Sequence, residues 1–108
     1  MTELAAKHCV PCNAETPKLS ASEVERALTR LPGWSSDGTA LAKRFEFPDF
    51  ASALAFTNRI GEEAEREGHH PDLKLGWGYV EIELSTHAIG GLSENDLILA
   101  AKIERALS

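Results

Sequence analysis

The chain has 108 residues, 43% of them hydrophobic, which suits one domain with a single core and is too short for two. Eleven Lys and Arg are scattered among seventeen Asp and Glu, and the net charge of -6 argues against a nucleic-acid backbone as partner. No apolar run approaches a membrane span, and the first residues lack the charged-then-apolar layout of a secretory signal, so a cytoplasmic protein without a membrane partner is expected.

Residues 1–18 read as an extension and residues 19–108 as the domain. Cys9 and Cys12, the two cysteines, follow His8 as Cys-Val-Pro-Cys and precede the loop-forming Asn13-Ala-Glu-Thr-Pro17. A zinc site needs a further ligand beyond His8, Cys9 and Cys12. A thioredoxin-type dithiol belongs where a strand meets a helix, and nothing before residue 20 alternates as a strand. The favoured reading is a poorly ordered or surface-docked extension.

Leu19-Ser20-Ala-Ser-Glu23-Val24 has the layout of a capping box with a hydrophobic staple, and Val24, Ala27, Leu28 and Leu31 continue at helical spacing until Pro32-Gly33. Asp37-Gly38 then predicts a turn, after which Leu41, Phe45 and Phe47 alternate with Ala42, Arg44 and Glu46 as one face of a hairpin. Pro48-Asp49 opens a second helix to about Glu67, with Phe50, Ala53, Leu54, Thr57, Ile60 and Ala64 on one side and Gly68 as a left-handed stop. Leu73, Leu75 and Trp77, a reversal at Gly78, and Val80, Ile82 and Leu84 predict a second hairpin. Leu92-Ser93-Glu94-Asn95-Asp96-Leu97 repeats the cap logic, and Leu99, Ile103 and Leu107 carry a last helix. The expected fold is α+β: a four-stranded antiparallel sheet with three helices packed on one face, in the order α-β-β-α-β-β-α. Trp34 and Trp77 are expected in the core.

Three of the four histidines fall between residues 69 and 87. His69 and His70 follow a helix end and are restrained by Pro71, while His87 is expected at the end of the strand that begins at Tyr79, so a helix end and a strand end meet at one rim of the sheet. Glu65, four residues before His69 on the last helical turn, is placed to accept an imidazole N–H. Groups able to move protons near neutral pH are concentrated here, which favours a functional site over isolated surface histidines. A tris-imidazole zinc site competes, weakened because adjacent side chains in extended chain diverge.

Glu65-x-x-x-His69-His70-Pro71, five residues to Trp77, nine to His87, and then Gly91-Leu92-Ser93-Glu94-x-Asp96 closely resembles the signature of the pterin-4a-carbinolamine dehydratases. The resemblance extends upstream through Gly33-Trp34 and Phe45-x-Phe47-x-Asp49-Phe50 and covers about residues 19 to 108. It implies a lyase that dehydrates 4a-hydroxytetrahydrobiopterin or a related 4a-hydroxytetrahydropterin by histidine acid/base catalysis, in tetrahydrobiopterin recycling, with no metal and no cofactor because the pterin is the substrate. It implies catalytic roles for His69, His70 and His87, with His69 and His87 as candidate acids for the 4a-hydroxyl and His70 binding or polarising the ring. It further implies substrate contacts from Glu65, Gly68, Pro71, Ser85, Thr86 and Ala88. Asp96 matches the family pattern, yet its position after Ser93 reads as the reciprocal arm of a capping box. Gly68 replaces an acidic residue of the animal members, Asn95 stands where they carry Arg, and the Cys9/Cys12 extension is similar to the longer N-termini of bacterial and plant members. Family members form dimers or tetramers, and some bind a homeodomain transcription factor, so a homodimer or homotetramer is expected. A pterin-binding or protein-interaction module without turnover is the alternative.

Overall fold

Ser20 starts the domain by local hydrogen bonding. The backbone N–H of Glu23 donates to Ser20 Oγ at 3.2 Å, and the Ser20 N–H donates back to Glu23 Oε1 at 2.9 Å, which closes both arms of the capping box that begins helix Ala21–Leu28. The computed structural model describes residues 2–11 and 13–107, the side chains of Thr2 and Glu3 excepted. In chain order the elements are α1 (Thr2–Ala6), α2 (Ala21–Leu28), β1 (Ser35–Ser36), β2 (Leu41–Glu46), α3 (Phe50–Glu67), β3 (Asp72–Gly76), β4 (Tyr79–Leu84), a 3₁₀ turn (His87–Ile89) and α4 (Glu94–Leu107).

The strands form one antiparallel sheet in the order β1-β2-β4-β3. Each hairpin pairs within itself, and β2 joins them by pairing with β4, Leu41 opposite Leu84 and Phe45 opposite Val80. That register puts Leu41, Phe45, Val80, Ile82 and Leu84 on one buried face, where they meet Ala53, Phe56 and Ile60 of α3 and Leu99, Ala100 and Ile103 of α4. Burial of each such large side chain contributes about 1.5–3 kcal/mol. The opposite face is polar, with Arg44 bonded to Glu81 at 3.0 Å and Lys74 4.0 Å from the same carboxylate.

The α+β architecture agrees with the sequence, with two helical pieces added: α1, and the 3₁₀ turn that begins at His87. Strand β4 ends at Leu84, so His87 stands on that turn beyond the strand and not on its last residues. Trp77, expected in the core, is 71% exposed because it occupies the β3–β4 turn, whereas Trp34 is buried. On α3 the buried stripe is Ala53, Phe56, Ile60 and Ala64, while Phe50 and Leu54 lie exposed on its flank. Helix α4 is buried at every position from Asn95 to Ile103, so it must be covered on the side away from the sheet as well. Part of that cover is α1, which packs against it.

Candidate functional site

Three chain ends converge beside α4. Helix α3 closes at Gly68, whose φ of 65° lies in the left-handed region that favours glycine; this reversal carries His69 inward and leaves it 8% exposed. Strand β4 ends at Leu84, and Thr86 is then pinned by its backbone N–H bond to the Gly91 carbonyl at 2.8 Å. Helix α4 begins after Ser93, whose N–H donates to Asp96 Oδ2 at 3.0 Å, the capping arm expected from the sequence.

Asp96 is fully buried and is also the partner of the site's inner histidine. His69 Nε2 lies 2.6 Å from Asp96 Oδ1, and Thr86 Oγ1 donates to Asp96 Oδ2 at 2.7 Å. A carboxylate only accepts, so the proton of this bond is on Nε2 and Nδ1 is left as the ring nitrogen available to a ligand. Thr86 has spent its hydroxyl proton on Asp96, so the 2.8 Å contact between Thr86 and Ser93 is a donation from Ser93 Oγ. Both oxygens of Asp96 and the hydroxyls of Thr86 and Ser93 are thereby satisfied. The structural reading of Asp96 from the sequence captured one of its oxygens and missed the other; the family spacing of Asp96 from His87 was the available signal.

Glu65 reaches a different histidine from the one the helical spacing pointed to. Its Oε2 accepts from His70 Nε2, and both side chains are more than half exposed. Because Gly68 turns the chain, His69 swings under the helix end toward α4, leaving His70 on the side of Glu65.

Residues 68–72 form one wall and 85–88 the other wall of a cleft of about 280 Å³, lined by Gly68, His69, His70, Pro71, Asp72, Ser85, Thr86, His87 and Ala88. It therefore gathers His69, His70 and His87 with Gly68, Pro71, Ser85, Thr86 and Ala88, and excludes only Glu65 of the residues singled out from the sequence; Asp72 is an addition. His87 is exposed and begins a 3₁₀ turn closed by Gly90 at a φ of 59°. A larger groove of about 430 Å³ crosses the polar sheet face between Arg44, Lys74 and Glu81, but no histidine lines it. Among the described residues no group of three His, Cys, Asp or Glu side chains is arranged to hold a metal ion. Cys12 lies outside those residues, so the proposed His8, Cys9 and Cys12 ligand set is not described as a whole.

A cleft of this kind offers one imidazole fixed by a buried carboxylate and two more exposed to solvent, an arrangement suited to proton transfer. The family model described as pterin 4 alpha carbinolamine dehydratase matches residues 17–106. A protein of Rubrobacter xylanophilus named "Putative pterin-4-alpha-carbinolamine dehydratase" is 49% identical over 106 residues, covering 97% of this chain and 99% of that one. One of the same name from Alkaliphilus metalliredigens is 46% identical over 110 residues, covering 100% and 99%. Among solved structures, a transcriptional coactivator/pterin dehydratase from Brucella melitensis superposes with a TM-score of 0.80 at 33% identity, covering 85% of this chain and all (100%) of that one. A pterin dehydratase-like protein described as a RuBisCO assembly factor in the alpha-carboxysome gives 0.58 at 28% identity, covering 68% and 84%. Sequence match across nearly the whole length, the same fold and the histidine cleft agree: this chain belongs to the pterin 4 alpha carbinolamine dehydratase family.

Proposed function

We propose that the protein dehydrates a 4a-hydroxytetrahydropterin, 4a-hydroxytetrahydrobiopterin or a close analogue, to the quinonoid dihydropterin and water, as a step in tetrahydropterin recycling. The observation that carries this reading is the His69–Asp96 pair, held at 2.6 Å in the wall of a cleft that His70 and His87 also line. In the reaction the C4a–O bond breaks as the N5 lone pair forms the C4a=N5 bond. The departing hydroxyl takes a proton from an imidazolium, and N5 gives up its own proton to a base, so one water leaves with the acid and the base having exchanged protonation states, and proton exchange with solvent resets them. Imidazole is the side chain able to give or take a proton near neutral pH, and each well-placed group contributes on the order of 10² to 10⁴ in rate.

His69 and His87 are the proton-transfer groups in this reading. His70, backed by Glu65, binds or polarises the ring, and Ser85, Thr86 and Ala88 on the second wall face its amide and amine edge. The exposure of Phe50 and Leu54 on α3 supports assembly into a homodimer or homotetramer, which light scattering on the purified protein decides. No helix among the described residues is long and apolar enough to cross a membrane.

The test generates the 4a-hydroxytetrahydropterin in situ with an aromatic amino acid hydroxylase and follows quinonoid product by absorbance, comparing the protein, His69→Ala and buffer. Acceleration by the wild type that is lost in His69→Ala is the expected result. A folded wild type that gives no acceleration refutes catalysis and favours a pterin-binding or interaction module, a reading that the assembly-factor description of one structural relative keeps in view.

A further inference from the structure

The segment ahead of Ser20 is bound to the two helix ends that carry the site. Lys102, in the middle of α4, is 3% exposed, and its Nζ donates to the Ala5 carbonyl at 2.8 Å, satisfying an acceptor in the last turn of α1. Glu67, the last residue of α3, has a side chain only 2% exposed. Its Oε1 accepts from the Cys9 N–H at 2.6 Å, its Oε2 lies 2.8 Å from His8 Nδ1, and Lys102 Nζ stands 3.7 Å away. Val10 and Asn95 exchange two bonds: the Val10 N–H donates to Asn95 Oδ1 at 3.1 Å, and Asn95 Nδ2 donates to the Val10 carbonyl at 2.7 Å. The Cys9 thiol adds a 3.6 Å contact to the Asn95 carbonyl.

These anchors are not scattered over the domain. Glu67 is separated from His69 only by Gly68, and Asn95 immediately precedes Asp96, so one short strap grips both helix ends whose side chains make the His69–Asp96 bond. Buried ionic groups such as Glu67 and Lys102 are costly to leave without partners; His8 and Cys9 supply partners to Glu67, and the Ala5 carbonyl supplies one to Lys102, where the spacing of α3 and α4 bears on the imidazole–carboxylate distance.

We propose that residues 8–10 act as a positioning strap, with Glu67 and Asn95 as positioning residues that hold His69 against Asp96 for proton transfer. The catalytic consequence rests on the reading of His69 given above. Misplacement of a reacting group by about 1 Å costs up to about a hundredfold in rate, and loosening of the strap is expected to lower kcat about tenfold while KM for the pterin changes less than about twofold.

The experiment compares the full chain, a variant lacking residues 2–10, and Asn95→Ala, which removes the two Val10 bonds described above and serves if the deletion fails to fold. Each is checked for cooperative unfolding, then read by kcat, KM and the ¹⁵N imidazole signals of His69. The expected result is a folded protein with reduced kcat, near-normal KM and displaced His69 signals, and recovery of both when a synthetic peptide of residues 1–18 is added to the truncated protein. Unchanged kcat per folded molecule together with unmoved His69 signals would reduce the strap to a stabilising cover and overturn the proposal. If the full chain shows no turnover, the dehydratase reading fails on its own, and the His69 signals still decide whether the strap positions that ring.

Discussion

Asp96→Asn separates the two duties of the buried carboxylate, because asparagine keeps its shape but carries only one accepting atom. Ser93 N–H and the Thr86 hydroxyl both donate to Oδ2, at 3.0 and 2.7 Å. If the amide nitrogen pointed there, it would oppose the obligatory N–H of Ser93. The amide oxygen must therefore stay at that end, and the amide NH₂ faces His69 Nε2, now obliged to accept. The imidazole proton moves to Nδ1, and the doubly protonated ring, with an N–H opposing an N–H, is disfavoured. What remains toward the cleft is a neutral imidazole N–H, a far weaker acid than an imidazolium.

Three hydrogen bonds to a charged acceptor become neutral ones, two still accepted by the amide oxygen and the third reversed so that the amide donates to Nε2, each losing about 1 kcal/mol. The variant should therefore be destabilised by about 3 kcal/mol, within the ~5–15 kcal/mol that keeps a domain of this size folded. Turnover should fall on the order of 10²- to 10⁴-fold, the contribution of a positioned proton-transfer group. Denaturant titration measures the first quantity, stopped-flow absorbance of the quinonoid product the second, and ¹⁵N spectra of His69 the tautomer. An Asp96→Asn protein with kcat within about threefold of wild type, or with the His69 proton still on Nε2, refutes the reasoning.

Substitution of His87 by Ala should lower kcat about 10²-fold or more while leaving stability within about 0.5 kcal/mol, because the side chain is exposed; a stability loss well beyond that would show that His87 holds the turn and does not act on substrate. Gly68→Ala has no heavy atom within 4 Å of the added Cβ but keeps a φ of 65°, so urea titration should show a loss of about 1–2 kcal/mol from the left-handed conformation alone, and a neutral result would contradict it. Acid titration of stability tests the capping carboxylates. The Ser52 N–H holds the Asp49 carboxyl below the ordinary value of 3.8, and the Ser20 N–H does the same for Glu23, ordinarily 4.5. Burial raises the Glu67 carboxyl, but hydrogen bonds from His8 and the Cys9 N–H, with the charge of Lys102, outweigh it and leave the value lowered. A carboxyl depressed in the folded state contributes stability above its unfolded value and loses it as pH falls through the folded one. Stability against unfolding should therefore weaken steadily below about pH 4.5, and Glu67→Gln should flatten that slope; an unchanged slope would remove Glu67 from the account.

The elements that local chemistry specifies were legible. Ser20 with Glu23, Asp49 before Phe50, and Gly68 after Glu67 each mark a helix end by a group that satisfies or terminates the backbone there. The alternation of Val80, Ile82 and Leu84 likewise fixed which sheet face is buried. What failed depended on partners distant in sequence. The α3 stripe centres on Phe56 because Phe45 and Phe47 of the facing sheet side pack on that ring, with centroids 4.9 and 5.1 Å away; periodicity alone allowed a face rotated toward Phe50 and Leu54. Helix α1 has only five residues and no pattern of its own; Lys102 holds it through the Ala5 carbonyl, and Glu67 holds His8 and Cys9 just after it, partners that periodicity does not reveal. A hint lay in α4, where Asn95, Asp96 and Lys102 sit in the otherwise apolar stretch 95–103: polar residues there need buried partners, and the N-terminal segment and the site are where those partners are found.

The coincidence of capping and chemistry at Asp96 has a consequence for how His69 can work. A carboxylate whose only partner was an imidazolium would be left uncompensated each time that ring gave up its proton, and burial would make that state costly. Asp96 instead stands in the first turn of α4, at the positive end of the helix dipole, and accepts from the Ser93 N–H and the Thr86 hydroxyl irrespective of the state of His69. Those donors are fixed by the fold: Ser93 by the helix start, Thr86 by its bridge to Gly91. In the proposed reaction, a proton passed through Nδ1 of His69 would leave Nε2 protonated against Asp96, and the carboxylate would keep its compensation throughout. Removing one of these donors, through Thr86→Val, takes away the 2.7 Å bond to Asp96 while leaving the side chains of His69 and Asp96 themselves unchanged, and should displace the ¹⁵N signals of His69; unmoved signals would show that the Thr86 bond does not support the pair.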